Sequence, residues 1–138
     1  MNTIILLLCT LLQIAPHGEP GQRLMLTGKV FGPDGKARAG AVMRAWHTDA
    51  RGLYRRDSAE GPPRLQGTLR TAADGSYTID TIKPGLYPGA KSGAHMHFEI
   101  DGRPEMILFD GPSSIRLVRG ADGVLHGTHD FHLKGGAR

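Results

Sequence analysis

The chain of 138 residues has little of what small proteins most often use to stabilise a fold or to bind a metal through sulfur. Its one cysteine, Cys9, lies in an apolar N-terminal segment, so the rest of the chain can form neither a disulfide nor a cysteine-ligated zinc or iron–sulfur site. Only 6% of the residues are aromatic, too few for the interleaved stacking positions of a nucleic-acid interface. The formal net charge of +4 comes from scattered basic residues. It predicts no nucleic-acid partner and a modest preference for anionic small molecules.

A helical pattern is also absent, because no apolar stripe at helical spacing follows the N-terminal segment. The 20 glycines and 9 prolines are spread along the chain, which is typical of short strands joined by tight turns. We expect a two-residue hairpin at Asp74-Gly75, a further turn at Asp101-Gly102, and the longest loop over residues 57–64. The predicted strands are 24–31, 41–47, 67–71, 76–82, 94–100, 106–109, 114–118 and 124–133. About eight short, mainly antiparallel strands predict an all-β fold, a β-sandwich.

The one long apolar run covers residues 4–12. It is shorter than the about 20 apolar residues that span a bilayer, and it is typical of the core of an export signal, although no Lys or Arg precedes it. We expect a signal peptide over residues 1–22, with cleavage at an unfixed point in 15–22, and a single domain over 23–138. The product would be secreted or periplasmic, without a stable membrane span. A buried N-terminal strand, an uncleaved anchor and a lipid on Cys9 remain open.

Two histidines two residues apart mark the clearest candidate metal site. In the predicted strand 94–100 alternate side chains share a face, so His95 and His97 point together, away from the apolar side chains. Two imidazoles so placed can reach one ion, whereas the alternative is an exposed polar face. Tyr87, restrained by flanking prolines, precedes the pair, and Tyr54 follows the strand ending near His47. The alternative for either tyrosine is an aromatic ring packed at the edge of a sandwich.

The order of short segments from residue 26 to residue 100 resembles the intradiol ring-cleavage dioxygenases. This family includes the catechol, hydroxyquinol and protocatechuate enzymes and their smaller secreted relatives. The similar segments are 26–30 (Leu-Thr-Gly-Lys-Val), 34–35 (Asp-Gly), 40–42 (Gly-Ala-Val), 45–50 (Ala-Trp-His-Thr-Asp-Ala), 52–54 (Gly-Leu-Tyr), 69–71 (Leu-Arg-Thr), 74–77 (Asp-Gly-Ser-Tyr), 81–85 (Thr-Ile-Lys-Pro-Gly), 87–88 (Tyr-Pro) and 94–98 (Ala-His-Met-His-Phe). The stretch that they span is more than half of the chain, and together they are far more specific than any one segment.

The resemblance implies a mononuclear Fe(III) site with Tyr54, Tyr87, His95 and His97 as ligands, together with a bound hydroxide. A phenol has a pKa of about 10, so it binds at neutral pH when a hard trivalent ion displaces its proton, whereas zinc and copper more usually take Cys and His. The implied reaction opens a catechol-type aromatic diol with O2 to a muconate-type diacid. Tyr87 is the ligand expected to leave the ion and take up a substrate proton, opposite His97.

One departure from the family concerns charge beside the ring. Ser92 stands where family enzymes carry an Arg that stabilises negative charge on the substrate. Lys91 is the nearest cation along the chain, and we assign it this catalytic role, with a solvent-exposed Lys91 as the alternative and Arg55 or Arg56 next in line.

Two other functions stay open. One is an iron-binding relative with lost or altered turnover. The other is a metal-free sandwich module similar to the regulatory domains of carboxypeptidases, which do not require the 46–54 segment or the His95-x-His97 pair. The sequence leaves open which diol is used and whether the chain forms a homo-oligomer.

Overall fold

Ten strands and no α-helix make up the described part of the chain, residues 10–86 and 93–135, in the computed structural model. The strands are β1 (Leu11–Gln13), β2 (Arg23–Phe31), β3 (Val42–His47), β4 (Leu65–Arg70), β5 (Ser76–Ile82), β6 (His95–Ile100), β7 (Arg103–Leu108), β8 (Leu117–Arg119), β9 (Leu125–Thr128) and β10 (Phe131–His132). One sheet has the order β1-β5-β2-β9-β8, with β10 also pairing β2, and the other has the order β4-β3-β6-β7. Most pairs are antiparallel, so the predicted all-β sandwich is confirmed.

The core lies between the two sheets and follows the two-residue period of the strands. Leu24 and Leu26 of β2 are fully buried, as are Met96 and Ile100 of β6, and all belong to one apolar cluster. Burying such a side chain contributes about 1.5–3 kcal/mol, so the alternation selects which face of each strand points inward. In the described part of the chain, no helix has the length and apolar character needed to cross a bilayer.

Several predicted strand bounds differ from the structure. The strand predicted at 67–71 is Leu65–Arg70, and the one predicted at 114–118 is Leu117–Arg119. Two further differences have local reasons. β7 begins at Arg103 rather than near Met106, because Pro104 lies in an edge strand, where a missing N–H is tolerated. The predicted run 124–133 is two strands. Between them the Asp130 carboxylate, rather than a backbone carbonyl, accepts the Lys29 amide at 2.9 Å.

The predicted hairpin at Asp74-Gly75 is wrong. A tight turn does form there, with the Gly75 amide donating to the Ala72 carbonyl. However, it joins β4 to β5, which lie in different sheets. The true two-residue hairpin is Asp101-Gly102, where positive φ angles of 48° and 81° turn β6 into β7.

Residues that the expected signal peptide covers are packed in the sandwich. β1 pairs with β5 in parallel, Ile14 and Ala15 belong to the apolar core, and the Arg23 guanidinium donates to the Ala15 and Pro16 carbonyls. Residues 1–9, including Cys9, lie outside the described residues, and export stays a prediction.

Candidate metal centre

His95 and His97 project from one face of β6, as predicted, and their side chains converge. Both residues are half-buried, their Nε2 atoms lie 3.0 Å apart, and their rings meet edge to face at 4.6 Å. Nδ1 of His95 lies 2.9 Å from the Gly93 carbonyl oxygen. Because a carbonyl only accepts, Nδ1 carries the proton, and Nε2 of His95 therefore presents a lone pair.

The separation of the two nitrogens matches a shared ion. Two imidazole nitrogens, each about 2.1 Å from one metal ion at roughly a right angle, lie about 3 Å apart. The His95 and His97 Nε2 atoms have this separation. The pair therefore fits two neighbouring positions of a single coordination shell.

A stack of rings holds His97 from the adjacent strand. Trp46 of β3 pairs with His97 across the sheet, and its ring lies nearly parallel to the imidazole at 5.3 Å between centroids. The Arg44 guanidinium in turn lies 4.6 Å from the centre of the Trp46 ring. Partial burial, and then the neighbouring His95, lower the pKa of His97, so its imidazole is neutral at neutral pH, the form that binds metals.

Tyr54 lies in the long loop between β3 and β4 and is half-buried. The loop is closed on itself by Asp49, whose Oδ1 accepts the Arg51 and Leu53 amides at 2.9 and 3.0 Å. The Tyr54 carbonyl accepts the Arg64 amide at 2.9 Å. The backbone is thus hydrogen-bonded just before Tyr54, at the Leu53 amide, and at the Tyr54 carbonyl itself.

The segment leaving β5 packs backbone to backbone against the Tyr54 loop. The Gly85 amide donates to the Asp49 carbonyl at 2.9 Å, and the Thr48 hydroxyl donates to the Gly85 carbonyl at 3.2 Å. A Cβ at Gly85 would overlap the Ala50 carbonyl. This contact places the chain that leads towards Tyr87 directly beside the loop that carries Tyr54.

The remaining predicted site residues lie outside the described residues. Tyr87, Lys91 and Ser92 fall in residues 87–92, so their roles stay predictions. Across residues 10–86 and 93–135, no three His, Cys, Asp or Glu side chains converge as a metal site.

The structure adds neighbours that the sequence did not indicate. A groove of about 360 Å³ beside the histidine pair is lined by Trp46, His97, Phe98, Pro104, Glu105 and Met106. Arg64, in the predicted long loop, is bound to Glu19 and Asp49. Since Glu19 is 45 residues away in the chain, no local sequence signal could have revealed that pairing.

Comparison with known proteins places these features in a family context. A family model described as Dioxygenase matches residues 9–108. Catechol 1,2-dioxygenase 1 of Acinetobacter lwoffii is 30% identical over 128 residues, covering 90% of this chain and 40% of that protein. The protocatechuate 3,4-dioxygenase beta chain of Burkholderia cepacia is 36% identical over 98 residues, covering 62% of this chain and 42% of that one. This chain thus spans less than half the length of these relatives.

Solved structures give the same result. The dioxygenase domain of a dioxygenase carbohydrate-binding fusion protein from Streptomyces sp. SirexAA-E superposes with a TM-score of 0.71 at 30% identity, covering 88% of this chain and 86% of that one. An intradiol ring-cleavage dioxygenase from Tetranychus urticae superposes with a TM-score of 0.72 at 22% identity, covering 89% and 85%. At the latter identity the likeness shows a shared fold.

Proposed function

Since this chain belongs to the intradiol ring-cleavage dioxygenase family, we propose that it opens a catechol-type aromatic diol with O2 to a muconate-type diacid. The reaction breaks the ring between its two hydroxylated carbons, and both atoms of O2 enter the product. The observation that carries the proposal is the convergence of the His95 and His97 Nε2 atoms at 3.0 Å.

The proposed cofactor is one ferric ion, with Tyr54, Tyr87, His95 and His97 as ligands. The donor set fits a hard trivalent ion, because phenolate oxygens and neutral imidazoles complement its charge without the thiolates that softer metals prefer. When bound, the ion would supply the Lewis acidity that keeps the phenols deprotonated at neutral pH and that activates the diol.

The protein groups then have separate tasks. His95, fixed through its Nδ1 on the Gly93 carbonyl, and His97, held by Trp46, keep the ion in place. Tyr54 is proposed as a permanent ligand. The Tyr87 phenolate oxygen would accept a proton from a substrate hydroxyl, and the Lys91 ammonium would offset the negative charge that grows on the diol.

A second candidate is an iron-binding relative with lost or altered turnover. It is favoured by Ser92, which stands where the family's Arg is expected. A lysine does not replace a guanidinium that stacks and forms bidentate hydrogen bonds. A metal-free module receives less support, since the family match includes both the 46–54 segment and the histidine pair.

Metal content and turnover, measured on one preparation, test these functions. We expect about one iron per chain, a visible ferric–tyrosinate absorption band, and oxygen uptake with diacid formation when catechol is added. Tyr54→Phe and His95→Ala should lose iron, Tyr87→Phe should keep more iron but turn over slowly, and His126→Ala, an exposed histidine of β9, should behave as the wild type. A band without turnover would favour the second candidate, and a folded protein that stays colourless with added ferric salt would contradict both.

We also propose export from the cytoplasm, on the apolar run at residues 4–12. Mass spectrometry of the protein from the producing cells should find it outside the cytoplasm with a shortened N terminus. An intact Met1 or Asn2 on soluble cytoplasmic protein would contradict export.

A further inference from the structure

A buried cluster of charged side chains lies outside the proposed metal centre. Glu19 and Arg64 form a two-pronged ion pair, with both nitrogen–oxygen distances at 2.8 Å. Arg64 also reaches Oδ2 of Asp49 at 3.4 Å. The Glu19 and Asp49 side chains are only 5% and 4% exposed and the Arg64 side chain is 18% exposed, so salt screens this cluster less than it screens a surface ion pair.

The cluster joins two parts of the chain that are far apart in sequence. Glu19 belongs to the segment between β1 and β2, whereas Asp49 and Arg64 stand near the two ends of the loop that carries Tyr54. The Arg64 backbone amide donates to the Tyr54 carbonyl at 2.9 Å. One arginine therefore fixes the Tyr54 backbone with its amide and the N-terminal segment with its guanidinium.

The Glu19–Arg64 ion pair holds the guanidinium in one orientation. The hydrogen bonds that the Arg64 guanidinium donates to the Glu19 carboxylate lower the pKa of Glu19 and raise the pKa of Arg64, so both groups stay charged over the physiological range. A guanidinium bound by two parallel hydrogen bonds is fixed in orientation as well as in position. Removing Glu19 leaves the Arg64 guanidinium with only its longer contact to Asp49, and removing Arg64 takes this counterion from both carboxylates.

We propose that Glu19 is a positioning residue for Tyr54 and acts through Arg64. This inference rests on the proposed function, in which Tyr54 is an iron ligand. The segment between β1 and β2, which carries Glu19, would then contribute to the metal centre. Processing of the chain beyond Glu19 would remove the clamp from the Tyr54 loop.

A pair of matched variants separates positioning from general stability. Glu19→Gln keeps the size of the side chain but removes the charge that holds Arg64. Asp80→Asn is the control, because Asp80 pairs with Arg23 at 2.8 Å, and Arg23 holds the same N-terminal segment through the Ala15 and Pro16 carbonyls. The control removes one ion pair that holds this segment but keeps the Glu19–Arg64 bond to the Tyr54 loop.

Two readouts are compared on the full chain. In hydrogen exchange, the Leu53 and Arg64 amides of Glu19→Gln should exchange at least about 10-fold faster than in the wild type, since they report opening of the Tyr54 loop. In ferric titration, Glu19→Gln should bind iron about 10- to 100-fold more weakly and show an altered tyrosinate band, as for loss of a group that orients a ligand. Asp80→Asn should leave both readouts unchanged even where its thermal stability falls.

The outcomes are distinct. Equal exchange at Leu53 and Arg64 in the two variants would overturn the inference, as would faster exchange with unaltered iron affinity and band. A wild-type protein that binds no iron would overturn the proposed function, and the exchange data alone would then decide whether Glu19 holds the loop. If Glu19→Gln fails to fold, Arg64→Lys serves instead, since it keeps the charge but loses the two-pronged bond, and it should show the same direction in both readouts.

Discussion

At the scale of single residues, the sequence predicts the direction of a side chain best where that direction depends on a single strand. The alternation around His95 and His97 predicted their shared face, because a two-residue period requires only that the segment be a strand. The apolar side chains that alternate with them, of Ala94, Met96 and Phe98, are buried, as that period demands. By contrast, the Glu19–Arg64 pair depends on how three distant segments are folded, and neither residue has a local pattern that marks its partner.

Trp46 offers a test of how His97 is held. Trp46→Leu would remove the ring stacked on His97, and we expect the pKa of His97 to rise towards its ordinary value as the imidazole becomes more exposed. Iron affinity should fall about 10-fold, in line with the loss of a residue that orients a ligand. Trp46→Phe should retain most of both properties. NMR titration of the His97 ring with a parallel ferric titration measures this, and an unchanged pKa in Trp46→Leu would show that the stack does not matter.

His47 should make the fold sensitive to acid. It is fully buried, with Nδ1 2.6 Å from the Thr48 carbonyl oxygen and Nε2 2.7 Å from the Thr81 hydroxyl, and burial lowers its pKa from 6.5 to about 4. Above pH 6.5 neither the folded nor the unfolded chain is protonated there. As the pH falls from 6.5 towards 4, the unfolded chain binds a proton that the folded chain does not, so stability falls by roughly 3 kcal/mol.

Urea unfolding at several pH values measures this effect. His47→Gln should flatten the loss of stability between pH 6.5 and 4, although it lowers stability at pH 7. The control His126→Gln changes an exposed histidine and should leave the slope as in the wild type. An equal slope in all three proteins would assign the acid sensitivity to other groups.

At the scale of strands and turns, the sequence predicted the elements better than their partners. Turn residues are recognisable because positive φ angles need glycine or a few polar residues, and both Asp-Gly turns do form. Which strands a turn joins depends on how the sheets divide. The Asp74-Gly75 turn joins strands of different sheets, whereas the Asp101-Gly102 turn joins neighbouring strands of one sheet. β1 was hidden for a related reason, since a short apolar run with no two-residue period is typical of an export signal as well as of a strand.

Gly85 packs the segment after β5 against the Tyr54 loop, and a methyl group on Gly85 should push the two apart. Gly85→Ala would drive a Cβ into the Ala50 carbonyl, and backbone cannot yield as a flexible side chain does. We expect a loss of about 1–3 kcal/mol of unfolding free energy, the usual cost of overpacking, together with weaker ferric binding, because the Tyr54 loop must shift. Gly135→Ala is the control, since a Cβ there meets nothing within 4 Å. Wild-type stability and iron affinity in Gly85→Ala would show that the contact is loose.

At the scale of the whole molecule, the sequence predicted the fold through the order of the segments shared with the family, but it predicted the candidate site only in part. The segments shared with the family occur in one order over most of the chain, and that order constrains the fold far more than any single motif. The structure confirms the sandwich and brings the histidine pair together. Tyr87→Phe tests the role proposed for Tyr87 at this site.

The extent of the folded unit can be tested by truncation. A chain starting at Thr10 keeps β1, the buried Ile14 and Ala15, and the Glu19–Arg64 pair, whereas a chain starting at Arg23 loses them all. Loss of Glu19 leaves Arg64 with only its longer contact to Asp49 and should lower the unfolding free energy, and the lost apolar burial adds to this. We therefore expect residues 23–138 to unfold at much lower urea concentrations than residues 10–138, or to aggregate. Equal midpoints for the two truncated chains would mean that the sandwich is complete without its first strand, and an export signal cut between residues 15 and 22 would then be compatible with the fold.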